Sequence, residues 1–293
     1  MASLNGSSPA PAPSARLGLA AMVLSASSYG LVPVFARFAY DAGMTPIGLM
    51  AVRYTAVSAI LIAGQRAMGR PLWLPPGDRL IGIATGILFP IVAYGYLAAI
   101  DRIPVSLAVL LFFTYPPQVA LVAWLRGEPL GMRRALGVGA AFIGLALALG
   151  VEIGSLDAIG VGLALMGSAA YTLMIITLGS AMTRVDPGTL NLTVMAVSAL
   201  ICAPIALATG QLTWPDTVRG ILGLVGVFAS YVVGVVAFFA ALKRIGPVRT
   251  ALLSQLEPAV SIVAALLVLK EQISEIQGVG IVLLMMALWA LAH

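Results

Sequence analysis

Ten mostly apolar stretches follow one another along this chain, at 17–36, 46–64, 80–100, 104–125, 135–151, 158–181, 188–209, 220–242, 248–269 and 276–292. Each approaches the roughly 20 residues that an α-helix needs to cross a hydrocarbon core. In lipid, backbone N–H and C=O groups must find partners without water, and a helix pairs them within one segment. Only 9% of the 293 residues are charged and 61% are apolar, against about 25% and about 45–50% in a soluble domain. A globule of this size would lack the polar groups to cover its surface. Soluble enzymes, nucleic-acid binders and scaffolds are therefore excluded, and the fold class is an all-α polytopic membrane protein.

The breaks between spans carry Pro, Gly and nearly all the charges. The longest, Gln65–Arg79, contains Arg70-Pro71 and Pro75-Pro76-Gly77, so no room is left for a soluble domain. Residues 1–15, rich in Ala, Ser and Pro, read as a disordered tail. No basic residue precedes Arg16 and the first apolar run exceeds signal-peptide length, so span 1 is expected to be retained. With the N-terminus inside, the inner segments hold Arg16, Arg66, Arg70, Arg79, Arg126, Arg133, Arg134, Arg184, Lys243, Arg244 and Arg249. The outer segments hold only Arg37, Arg102, Arg219 and Lys270. That asymmetry places both termini in the cytoplasm, across a plasma (inner) membrane. One cysteine, Cys202, and one histidine, His293, exclude a zinc or iron–sulfur framework, and neither a metal nor a cofactor is expected.

The chain also resembles itself at an offset near 142. Ala98-Ala99-Ile100-Asp101-Arg102-Ile103 matches Ala240-Ala241-Leu242-Lys243-Arg244-Ile245, Ser28-Tyr29 overlies Ala170-Tyr171, and Pro116 overlies Pro258. With slips of one or two residues, Ala56-Val57-Ser58-Ala59 overlies Ala196-Val197-Ser198-Ala199 and Glu128 overlies Glu271. The repeating unit is thus five spans, at 16–152 and 153–293. Five is odd, so the two copies must be inverted in the membrane. Inverted halves that exchange conformations are the architecture of alternating-access transporters.

These residues resemble the drug/metabolite transporter superfamily and, within it, the EamA family. Met50-Ala51-Val52-Arg53-Tyr54 is similar to the Arg-aromatic start of that family's second helix. Both copies carry a Pro, then mostly apolar residues, then a Glu: Tyr115-Pro116 to Gly127-Glu128, and Glu257-Pro258 to Lys270-Glu271. The first copy departs from the pattern at Pro116-Pro117 and Glu128-Pro129. The resemblance implies a transporter, with export of amino acids or other small metabolites as the direction the family favours.

Charge at mid-membrane costs at least about 2.5–3.5 kcal/mol, so it persists where a partner or a watery path receives it. Arg53, eighth in span 2, and Glu257, tenth in span 9, are the two ionisable groups near mid-span. Glu257 precedes Pro258, which would bend a helix and free a carbonyl. It is the candidate for holding a proton, another coupling ion or a substrate ammonium; the plainer alternative is a structural Glu bonded to a backbone or to Arg53. Arg53 is read first as a snorkelling side chain or structural counter-ion, and second as a ligand for a substrate carboxylate. At the 142 offset Tyr29 pairs with Tyr171, Phe89 with Tyr231 and Tyr115 with Glu257, an aromatic wall suited to an amphipathic small molecule. Gln118 and Gln255 are further wall candidates, with Ser25, Ser28, Asn191 and Ser254; each taken alone reads more plainly as interhelical hydrogen bonding.

Trp73, Trp124, Trp214 and Trp289 lie at span ends, as an interfacial belt does. Gly137, Gly139 and Gly144 in span 5, and Gly278 and Gly280 in span 10, suggest packing or homodimer-forming helices outside the path. No Walker loop, His-Glu-x-x-His motif or paired intramembrane Asp is present. The reading is a secondary transporter with its path between spans 1–4 and 6–9, powered by a gradient. A membrane-embedded enzyme and an importer of the same fold are the alternatives. No nucleic-acid partner is expected.

Overall fold

The computed structural model describes residues 13–127, 132–149, 157–178, 185–254 and 256–292, and among these the regular structure is helical with no strand. Its elements are α1 (Pro13–Asp41), α2 (Pro46–Ala67), a 3-10 turn (Pro76–Asp78), α3 (Arg79–Arg102), α4 (Val105–Phe112) and α5 (Tyr115–Leu125). They continue as α6 (Met132–Leu149), α7 (Ala158–Leu178), α8 (Pro187–Ala208), α9 (Val218–Ser254), α10 (Leu256–Val268) and α11 (Glu275–Ala292). Six helices are long and apolar enough to cross a membrane, those in α1, α2, α3, α7, α8 and α9, and shorter apolar helices lie at Val105–Val119, Leu256–Val268 and Glu275–Ala287.

Local chemistry sets the starts. Thr45 accepts from Gly48 N at 3.0 Å ahead of Pro46, and Asp186 accepts from Thr189 N at 2.8 Å ahead of Pro187. These are N-caps followed by the residue whose missing N–H costs least at that position. Ser274 and Gln277 form a reciprocal capping box at the start of α11. Ile103, held extended by Pro104 (φ −127°, ψ 162°), ends α3.

One sequence boundary needs correction. Span 4 is not one helix: α4 ends at Phe112, and α5 restarts at Tyr115 with Pro116 and Pro117 in its first turn. Two successive prolines donate no N–H, so they fit where a new helix starts and not inside one. Thr114 covers the break by donating to Leu111 O at 2.6 Å. Between spans 8 and 9 the helical backbone runs on through Gly246-Pro247, yet the chain reverses there, since Gly18 meets Ile245 while Gly30, further along α1, meets Glu257 O and Val260. The clash that makes a pre-proline residue extended involves its Cβ. Ile103 has one and Gly246 does not.

The helices pack as two interlocked sets that exchange under the offset of 142. α1 lies against α9, and its counterpart α7 lies against α3; α1 meets α10, and α7 meets α4 and α5; α2 pairs with α8 and α6 with α11. The match reaches single residues. Gly18 abuts Arg244 and Ile245, and Gly160 abuts Arg102 and Ile103, every partner displaced by 142. Ser25 donates to Gly234 O at 2.8 Å, while Gly167, at the equivalent position, faces Val92 O. The central core gathers Tyr54, Leu49, Met50, Leu97, Ile100, Leu110 and Leu111, all almost fully buried.

α6 and α11 pack chiefly on each other, with smaller contacts to α4, α5 and α9. Their glycines divide, however. Gly144 sits on the Leu284 backbone and Gly280 O, whereas Gly139 faces open space and Gly278 meets only Ile273. The lateral face of α11 carries a recess of about 510 Å³ lined by Glu275, Gly278, Val279, Val282, Leu283 and Met286. Trp73, Trp124 and Trp214 are exposed.

Candidate functional site

Arg53 does not snorkel. It is 6% exposed, with its guanidinium 4.7 Å from the Tyr54 ring centroid and 5.8 Å from that of Tyr231. Nη2 donates to the Tyr54 hydroxyl at 3.0 Å. Faces of aromatic rings attract a cation, more so when both are desolvated. Tyr231 in turn donates to Asn191 Oδ1 at 3.0 Å, and its ring meets Tyr29 edge-on at 6.0 Å. Phe89 closes this group against Tyr54 at 5.9 Å. Arg53, Tyr54, Phe89, Tyr29, Tyr231 and Asn191 therefore come from α2, α3, α1, α9 and α8 to one place.

A second aromatic group adjoins it. Tyr115 and Tyr171 meet edge-on at 4.6 Å, and Phe112 stacks on Tyr96 at 4.5 Å and on Tyr171 at 5.7 Å. Glu257, half-buried near the start of α10, lies within Coulombic range of the Tyr29, Tyr96 and Tyr171 hydroxyls. Tyr29 is also within range of Arg53, so it feels both charges. Among the described residues no ion pair joins Arg53 to Glu257; the pairs are Arg37–Asp41 at 3.0 Å and Arg102–Asp157 at 2.8 Å. The plainest reading of Glu257 as Arg53's counter-ion therefore fails. At the offset of 142 the Tyr115–Tyr171 contact corresponds to Glu257 and Tyr29, which lie within Coulombic range of each other. Equivalent positions thus hold a phenol in one half and a carboxylate in the other.

The remaining candidates separate. Gln118 Nε2 donates to Thr114 Oγ1 at 3.0 Å and to Ser168 Oγ at 2.9 Å, a network that ties α5 to α7. Ser25 and Ser261 bind backbone carbonyls of neighbouring helices, at Gly234 and Gly30. Gln255 lies outside the described residues. Tyr54, Tyr96, Phe112 and Phe113 were not singled out from the sequence, although Tyr54 directly follows Arg53. Their signal was the density of aromatics in 112–115.

Glu271 has a role that its spacing did not disclose. Its carboxylate accepts from Val105 N at 2.6 Å, Ser106 N at 3.1 Å and Ser106 Oγ at 2.6 Å. It caps α4 from the other half of the chain, satisfying orphan donors at a helix end where negative charge is favoured. At the surface, the hydrogen bond from Arg102 holds the Asp157 carboxyl below the ordinary aspartate range, assisted by the Ile159 and Gly160 amides.

The family model for the EamA-like transporter family matches residues 16–150 and again residues 158–292. No curated protein matches the sequence. Among solved structures, one crystal structure superposes with a TM-score of 0.61 at 18% identity, covering 92% of this chain and 96% of the other. That likeness is one of fold.

Proposed function

Because the chain belongs to the EamA-like transporter family, we propose that this multi-pass membrane protein is a secondary active transporter that exports small metabolites or amino acids by alternating access. It spans the plasma membrane ten times as two inverted five-helix repeats, with both termini cytoplasmic. Spans 4 and 9 are then the broken or bent helices, α4 with α5 and the end of α9 with α10. Discontinuous helices at a repeat interface are where transporters place their sites.

The observation that supports this most is a pair of equivalent placements, the Tyr115–Tyr171 ring contact and Glu257 within Coulombic range of Tyr29. Interlocked halves whose contacts exchange under one offset have two near-equivalent ways to pack, which is what alternating access requires. Glu257 breaks that symmetry with a charge. In this reading it takes up a proton or another coupling ion, or a substrate ammonium, while Tyr29, Tyr115, Tyr171, Tyr231 and Phe89 shape the path. The exposed face of α11 lies against lipid or a second copy.

The test is metabolite profiling of medium and cytoplasm from cells expressing wild type, Glu257→Gln or no protein. Wild-type-dependent enrichment in the medium supports export and names a chemical class, and enrichment in the cytoplasm reverses the direction. Normal transport by Glu257→Gln removes the carboxylate from the mechanism. A drop of several degrees in unfolding temperature with transport intact makes Glu257 structural.

A further inference from the structure

We propose that Arg53 and Tyr40 form a subsite for an oxyanion, a carboxylate or phosphate group on the carried molecule. The proposal rests on the transporter reading for the word carried, and on geometry for the site. Arg53 Nε and the Tyr40 hydroxyl are both buried, and neither has a hydrogen-bond partner among the described residues. Tyr40, on α1, is 7% exposed and lies within Coulombic range of Arg53, on α2. Two neighbouring donors thus remain open where protein surrounds them, although native interiors pair such groups almost without exception.

The chemistry of the donors selects the ligand. A guanidinium is cationic at every physiological pH and accepts no hydrogen bond. Its partner must supply oxygen lone pairs and, in a low-dielectric interior, negative charge as well. No Asp or Glu among the described residues pairs with it, and the Tyr54 contact uses Nη2 alone. The rings of Tyr54 and Tyr231 hold the guanidinium laterally and leave Nε free. A planar fork that keeps one edge unused is the arrangement that recognises carboxylate or phosphate. Among the described residues no ion pair joins Arg53 to Glu257, so the chain's own acid does not occupy Nε.

The site can be tested with simple anions on the purified full chain, independently of transport. Thermal unfolding in detergent is compared at equal ionic strength in chloride, acetate and inorganic phosphate. Acetate or phosphate should raise the unfolding temperature of wild type by about 2–4 °C over chloride, and whichever does so separates a carboxylate site from a phosphate site. Arg53→Gln should abolish the shift. Tyr40→Phe, which keeps the ring and so tests the site should Arg53→Gln fold poorly, should reduce it by half or more. Equal shifts in wild type and the variants, or none in wild type, overturn the proposal. An anion shift in a protein that moves no solute leaves this subsite standing and removes the transport reading. Transport by a wild type without any anion shift does the reverse.

Discussion

At the scale of single residues, two carboxylates do different work. Glu271 accepts three hydrogen bonds at the start of α4. Losing a charged cap of that kind costs about 1–2 kcal/mol, so Glu271→Ala should lower unfolding stability in detergent by that amount, with Ser106→Ala losing less. Asp157 behaves as a pH-dependent tie. Its folded pKa lies below the unfolded value, so its contribution is present above the ordinary aspartate range and is lost as pH falls through the folded value. Unfolding temperature measured against pH should show that acid-side loss in wild type and not in Asp157→Asn. Scarcity made Arg53 and Glu257 legible in the sequence, because few ionisable groups fall at mid-span. Repetition made Tyr29, Tyr171, Tyr115, Phe89 and Tyr231 legible. Tyr40, Tyr54, Tyr96 and the cap made by Glu271 were not, since each depends on which helix turns toward which, and hydropathy is blind to that in a chain apolar on every face.

At the scale of elements, close packing depends on particular glycines. A Cβ on Gly95 would stand 2.6 Å from Leu163 O and 2.8 Å from Gly167 Cα, both backbone atoms that cannot step aside. Gly95→Ala should therefore separate α3 from α7 at a cost of about 1–3 kcal/mol, as overpacking does. Gly139→Ala, which meets nothing within 4 Å, should be neutral or slightly stabilising; thermal unfolding of the two variants side by side checks both signs. The spans of α1, α2, α3, α7 and α8 could be marked from apolar runs and their caps. The break between α4 and α5 could not, because hydropathy registers composition while backbone geometry answers to Pro116-Pro117.

At the scale of the whole molecule, polar ties between the two halves occur at both sets of helix ends, with Gln65 Nε2 donating to Thr189 Oγ1 at 3.2 Å at one and a group of contacts at the other. Thr45 N donates to Thr213 Oγ1 at 3.2 Å, Thr45 Oγ1 donates to Gln211 O at 2.7 Å, Asp216 N donates to Ala42 O at 3.1 Å, and Arg219 lies 4.1 Å over the Phe38 ring. In the topology proposed above these are the outer ends, so a cycle of alternating access would have to part them. Cysteines at Thr45 and Thr213, joined by a short bifunctional reagent, should stop transport, and a reducible linker should restore it on reduction. Native Cys202 is buried away from such reagents. Transport that continues through the crosslink would show these ends to be static. The cap on α4 carries a different consequence, for the order in which the protein is made. Glu271 comes 166 residues after Val105, which at about 5–20 residues per second is a delay of roughly ten to thirty seconds on the ribosome. Until then α4 waits with its opening amides uncovered, so the first repeat is completed only by the last.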